Sequence, residues 1–388
     1  MSDLLPYLGG VEQSALLKLL NQAGARAILA EEAVDLGLAD NRPFPFLAIV
    51  GQLEMRTALL LAVINPAIGG VLLIGPRGTG KTTAVRSLTQ ILPDVEVSDC
   101  EEGARPEDLR PENARLLYPD CYDKYQSGQS ISHYETVKLV ELPLNARLED
   151  VVGGINERVA IQQQRVKLER GILARADKNL LYIDEVNLLD DEIVDAILDA
   201  AAQGSYTVRR GAMSGTYRSR FVLIGSMNPE EGRLRPQILD RFGLRVNVRG
   251  LTTKEERHLV YERVHTYRQH PSQFLREWAI NTAEVREEII LAREILRETT
   301  LTPEAIDLGL TLVQDLDIDS HRAEYTLFEA ARAHAAADGR TEAAVQDIQA
   351  VASMALRQRR SEFMARFFEN QHTEDEQIRT RIDELIHP

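Results

Sequence analysis

The run Val71-Leu72-Leu73-Ile74-Gly75-Pro76-Arg77-Gly78-Thr79-Gly80-Lys81-Thr82 constrains the fold more than any other stretch of the chain. Four aliphatic residues predict a short buried strand, and apolar spacing through Leu88 and Ile91 predicts a helix after it. Between them stands G-x-x-x-x-G-K-[ST], in the strand-to-helix setting that gives the pattern its meaning. Its glycines let main-chain N–H groups converge on an anion without Cβ atoms in the way, at the positive end of the helix. Gly75, Pro76, Arg77, Gly78, Thr79 and Gly80 would wrap nucleotide phosphates. Lys81 would reach the β- and γ-phosphates, and the Thr82 hydroxyl would ligate Mg²⁺.

A second apolar strand, Leu180-Leu181-Tyr182-Ile183, ends in Asp184-Glu185. Beside a phosphate loop, Asp184 is expected to hold the Mg²⁺ shell and Glu185 to polarise the attacking water, which points to hydrolysis of ATP. A third strand candidate, Phe221–Gly225, leads to Met227-Asn228-Pro229, where Asn228 could orient that water. With Lys138–Leu142 and Leu244–Val248, strands separated by long connections predict a parallel α/β sheet.

Four regions follow. Residues 1–41 carry short helical patterns, and NRPFP at 41–45 marks a boundary. Residues 42–250 form the α/β nucleotide-binding domain. Residues 251–360 read as a separate helical domain without strands, its helices opened by Thr253-Lys254-Glu255-Glu256, Thr302-Pro303-Glu304 and Thr341-Glu342. Residues 361–388 are a polar tail.

A formal charge of −15 gives no general attraction to nucleic acid, and no aromatic-basic stacking stretch offsets it. The most apolar stretch, Leu59–Gly75, is broken by Asn65, Pro66, Gly69 and Gly70, so no membrane span is expected. No signal peptide is read at the N-terminus, and Cys100 and Cys121 are expected to be free thiols in a reducing, cytoplasmic compartment.

GPRGTGKTT, YIDEVNLLDD, GSMNPEEGRLRPQILDRFGL and FPFLAIVGQLEM resemble the ATPase subunits of magnesium chelatase, over about Pro43 to Arg360. These are AAA+ ring motors that drive Mg²⁺ insertion into protoporphyrin IX in chlorophyll and bacteriochlorophyll synthesis. The resemblance implies an AAA+ P-loop domain with an α-helical lid, in a homo-oligomeric ring, a hexamer by expectation. It implies two partners, an adaptor subunit with an integrin-like (VWA) domain and a porphyrin-binding catalytic subunit. Asn228 matches the family's sensor 1, Arg241 its arginine finger and Arg322 its sensor 2, although Ala323 stands where the family usually has glycine.

The separation of Lys81 from Asp184 leaves room for an insertion at Val151–Leu173 within the second helix, and Tyr206–Phe221 suggests a hairpin. The hairpin's Arg209, Arg210, Arg218 and Arg220 are either a solvated face or a contact for a partner or polyanion. Two other clients stay open at this level. One is a chaperone-like remodeller working with an integrin-type adaptor, the other a nucleic-acid translocase.

Overall fold

Five short segments pair side by side in the computed structural model, which describes residues 43–99, 109, 119–154, 168–211, 213–232 and 234–360. They are β1 (Val71–Ile74), β2 (Leu139–Leu142), β3 (Leu180–Ile183), β4 (Val222–Met227) and β5 (Leu244–Asn247), all parallel, in the order β2-β3-β4-β1-β5. Residues of β1, β3 and β4 are buried throughout, which is why they read as unbroken apolar runs rather than alternating ones. The register sets Leu73 beside Ser226 and Ile183 beside Gly225, so the carboxyl ends of β1, β3 and β4 emerge together.

Helices cover both faces. On one lie α1 (Leu53–Ile64) and α2 (Lys81–Leu88); on the other lie α3 (Asp191–Gln203) and α4 (Pro236–Arg241). Every residue of α1 from Met55 to Ile64 is buried, as expected of a helix apolar nearly all round. The region beyond residue 251 contributes α5 (Lys254–Gln269), α6 (Pro271–Glu277), α7 (Ala279–Leu296), α8 (Pro303–Asp315), α9 (Arg322–Ala337) and α10 (Val345–Leu356). Thr253 and Thr302 cap α5 and α8 by accepting from the N–H groups of Glu256 and Ala305.

Two expectations for this region need correction. It is not free of strands: Thr300–Leu301 pairs in parallel with Glu342–Ala343, a two-residue contact too short to leave a sequence pattern. Thr341-Glu342 opens no helix, because the Thr341 carbonyl is engaged by the Thr300 N–H; α10 starts at Val345, where Asp347 Oδ2 accepts from the Ala344 N–H at 2.8 Å. The helical region also packs on the sheet through a shared core. Leu59 and Val63 of α1, Leu73 of β1, Val285 and Ile289 of α7 and Leu327 of α9 belong to one apolar cluster. Arg293 donates to the Val63 carbonyl, and Asn65 to Glu329 Oε2 at 2.7 Å, across the same seam.

The expected hairpin is present as antiparallel Ser205–Arg210 and Met213–Arg218. A second ribbon, Val95–Ser98 with Ser132–Glu135, went unread because its half-exposed residues give only weak alternation. Short helices Leu148–Val152 and Ile172–Arg175 bracket the expected insertion, whose residues 155–167 lie outside the described ones. Its neck is drawn together where the Glu169 N–H donates to the Gly154 carbonyl at 2.8 Å. Cys121 is disulfide-bonded, against the expected free thiol; the compartment argument says nothing about which sulfurs a fold brings together. Cys100, the 1–41 helices and the 361–388 tail lie outside the described residues. Among the described residues no helix is long and apolar enough to cross a membrane.

Candidate nucleotide site

The loop after β1 depends on its glycines. At Gly75 a Cβ would lie 2.0 Å from the Val248 carbonyl oxygen, so no larger residue fits against β5. Gly80, which precedes α2, has a φ of +87°, a backbone region that glycine alone enters freely, and the space where its Cβ would stand is open. Residues 77–83, Asp184, Glu185, Ser226, Met227 and Asn228 line one cavity of about 310 Å³ at the carboxyl ends of the strands. Open α/β sheets bind ligands at that edge.

Lys81 folds back over the loop, its Nζ donating to the Gly75 and Pro76 carbonyls at 2.6 and 2.8 Å. Burial lowers its ammonium's pKa, against the upward pull of Asp184, Glu231 and Glu185. That ammonium is therefore a desolvated cation held where an anion would replace its carbonyl partners.

Thr82 and Asp184 meet across the cavity, with Thr82 Oγ1 3.4 Å from Asp184 Oδ2. Two further hydroxyls reach the same carboxylate. Tyr182 OH donates to Asp184 Oδ1 at 2.9 Å and lies 3.2 Å from Thr82 Oγ1, and Ser226 Oγ donates to Asp184 Oδ1 as well. Burial pushes the Tyr182 phenol pKa well above its ordinary range, so it stays a donor. This all-oxygen set of hydroxyl and carboxylate suits a hard divalent cation such as Mg²⁺, whose remaining ligands come from phosphates and water.

Glu185 leaves the strand with a φ of +52°, an uncommon conformation for a residue with a side chain, costing about 1–3 kcal/mol. Its N–H donates to Ser226 Oγ at 3.3 Å. Its carboxylate is bridged by Arg77, whose Nη2 reaches Glu185 Oε1 at 2.8 Å and Glu231 Oε1 at 2.7 Å. The hydrogen bond and charge of Glu185 raise the Arg77 pKa. Asn228 is buried at the tip of β4, where its Oδ1 accepts from the Glu230 N–H at 3.3 Å.

Thus Arg77–Thr82, Asp184, Glu185 and Asn228 line one cavity, and Gly75 and Pro76 join them through their carbonyl bonds to Lys81. Arg241 and Arg322 do not line this cavity. Arg241 ends α4 and pairs with Asp199 Oδ1 at 2.7 Å and Asp195 Oδ1 at 3.4 Å on α3. Arg322 begins α9, half exposed, 3.7 Å from Asp240 Oδ2. Asp240 also holds Arg359 at 2.9 Å, lies 3.8 Å from fully buried Arg245 and accepts from Ser320 Oγ. Sequence reasoning missed Tyr182, Ser226, Glu231 and Asp240. A hydroxyl interrupting an aliphatic strand was a signal for the first two.

A model described as "AAA domain" matches residues 69–212, and one described as "AAA lid domain" matches residues 311–381. The magnesium-chelatase subunit ChlI homolog of Methanocaldococcus jannaschii is 42% identical over 323 residues, covering 82% of this chain and 87% of that protein. The chain belongs to the magnesium-chelatase ATPase-subunit family. The 38 kDa magnesium-chelatase subunit of Rhodobacter capsulatus is likewise 42% identical, covering 83% and 89% of the two chains. A solved structure from Cytophaga hutchinsonii matches at a TM-score of 0.51 and 19% identity, over 80% of this chain and 83% of that one, a likeness of fold alone. Membership in this family bears out the α/β AAA+ architecture with a helical lid, and its relatives carry the chelatase name, which favours that client over a remodelling or nucleic-acid one.

Proposed function

We propose that the chain is the ATP-hydrolysing motor of a magnesium chelatase, with its own phosphate cleft completed by arginines of a neighbouring copy in a ring. One observation carries the site: the phosphate loop, Asp184, Glu185 and Asn228 share a cavity at the ends of three adjacent parallel strands. Gly75–Gly80 and Lys81 bind the phosphates. Thr82 and Asp184 would hold Mg²⁺, which would supply positive charge to offset the negative charge developing on the phosphates. Glu185 takes up hydrogen-bonding to the attacking water once Arg77 releases it, and Asn228 orients that water.

Arg241 and Arg322 lie outside the cavity of their own chain, Arg241 paired with Asp199 and Asp195 on α3 and Arg322 beside Asp240. That arrangement supports their acting on the nucleotide of an adjacent subunit, so that hydrolysis depends on assembly. A ring, six-membered as in the family expectation, follows from this reading. The relatives are named as subunits of magnesium chelatase. We extend to this chain a porphyrin-binding catalytic partner, an integrin-like adaptor, a role in chlorophyll or bacteriochlorophyll formation and a cytoplasmic setting where ATP is supplied. The domain limits 42–250 and 251–360 belong to the same proposal, with the two units sharing a core.

The test is reconstitution. With both partner subunits, ATP, Mg²⁺ and protoporphyrin IX, the protein should shift the porphyrin fluorescence to that of the metallated product, and Lys81→Ala should abolish the shift together with ATP binding. ATPase activity without any porphyrin change, with all partners present, would leave the motor and remove the client.

A further inference from the structure

The carboxylate assigned to Mg²⁺ is not held by the phosphate loop alone. Asp184 Oδ1 accepts from Tyr182 OH at 2.9 Å and from Ser226 Oγ, while Tyr182 OH lies 3.1 Å from Ser226 Oγ and 3.2 Å from Thr82 Oγ1. Tyr182 and Ser226 are each about 1% exposed, so neither hydroxyl has water as an easy alternative partner. We infer that Tyr182 and Ser226 are positioning residues that fix Asp184, and through it the Mg²⁺ of the nucleotide, against Thr82.

The two residues divide the task. Tyr182 sits two residues before Asp184 on β3, and its phenol lies between the two protein groups that would share the cation. Ser226 comes from β4, two residues before Asn228, and its oxygen also accepts from the Glu185 N–H at 3.3 Å. One hydroxyl therefore ties together the strand tips carrying Asp184, Glu185 and Asn228, holding Glu185 in its left-handed turn. Groups that hydrogen-bond a metal-bound carboxylate set its orientation and basicity, and losing one commonly costs 10–100-fold in metal affinity or activity, on the order of magnitude level.

This inference rests on the nucleotide site proposed above, and the experiment separates the two. A fluorescent non-hydrolysable ATP analogue is titrated into the full-length protein in EDTA and at increasing Mg²⁺, for wild type, Tyr182→Phe and Ser226→Ala, with folding checked by circular dichroism. Both variants should bind the analogue in EDTA as wild type does, yet need roughly tenfold more Mg²⁺ for half-maximal enhancement of binding. At saturating Mg²⁺, Tyr182→Phe should recover turnover with ATP, whereas Ser226→Ala should stay slower because Glu185 has lost its anchor. Unchanged Mg²⁺ dependence in both variants, or equal loss of binding with and without Mg²⁺, overturns the inference while leaving the site intact. Should Tyr182→Phe not fold, Ser226→Ala decides alone, since it deletes one oxygen. A wild type that binds no analogue under either condition overturns the nucleotide site itself.

Discussion

In the phosphate cleft three carboxylates, Asp184, Glu185 and Glu231, face two cations, Lys81 and Arg77. Around Asp240 arginine predominates, with Arg245, Arg322 and Arg359 gathered on that carboxylate and Glu324 also acting on Arg359. Burial, reinforced by the charge of Arg359, pushes the Arg245 guanidinium pKa down to about 9, with Asp240 pulling the other way. The cleft has negative charge to spare for a metal ion. Around Asp240 the two buried arginines are taken up by that carboxylate and by main-chain carbonyls, which leaves half-exposed Arg322 as the cation facing outward. In the ring proposed above, the cleft of one copy would meet Arg241 and Arg322 of the next.

The sharpest way to break that comparison is Arg241→Ala. An arginine donated in trans is worth on the order of 10³–10⁵ in rate, and its loss should leave nucleotide binding in place. Mixing Arg241→Ala with Glu185→Gln protein should restore part of the activity, because some interfaces then pair an intact Glu185 with an intact Arg241. A mixture no more active than its components would tie Arg241 to its own chain's site. Glu185→Gln alone should slow turnover by about 10²–10⁴-fold while ATP still binds, read by single-turnover hydrolysis beside a binding titration.

Smaller effects sharpen the other side. Asp240→Asn leaves buried Arg245 and Arg359 without their carboxylate, and unfolding by denaturant should show a loss on the order of 3 kcal/mol. A stability equal to wild type would mean that the backbone carbonyls already satisfying those guanidiniums suffice. Asp347 provides a control within the helical region. Burial acts to raise its pKa, but hydrogen bonds from His334, Arg340 and the Ala344 N–H outweigh this and hold the carboxyl below its ordinary value. A depressed carboxyl stabilises above the unfolded-state pKa of about 4 and loses that contribution as pH falls through its folded value. Melting temperature should therefore drop on acidification, and Asp347→Asn should melt lower at neutral pH with a flatter acid limb.

The cleft was legible because its parts lie in short runs whose spacing has physical meaning. Val71–Thr82 and Leu180–Glu185 announce strand, turn and charge in consecutive residues. Tyr182 and Ser226 were within those runs, but their roles depend on β3 lying beside β4, a pairing that no local pattern states. The Asp240 cluster was not legible at all: Asp240, Arg322 and Arg359 are far apart in sequence and meet only after the helical region packs on the sheet. For the same reason the sequence suggested an independent lid, since the periodicity of α7 and α9 shows an apolar face without naming what covers it.

The seam of α1, α7 and α9 has a mechanical consequence. A helical region that shares aliphatic packing, Arg293 and Asn65 with the sheet must carry or break those contacts in order to swing. In the ring proposed above, strain generated when the γ-phosphate leaves would then load this seam and pass outward to the neighbouring copy, less like a set of flapping covers than like a train of stiff gears.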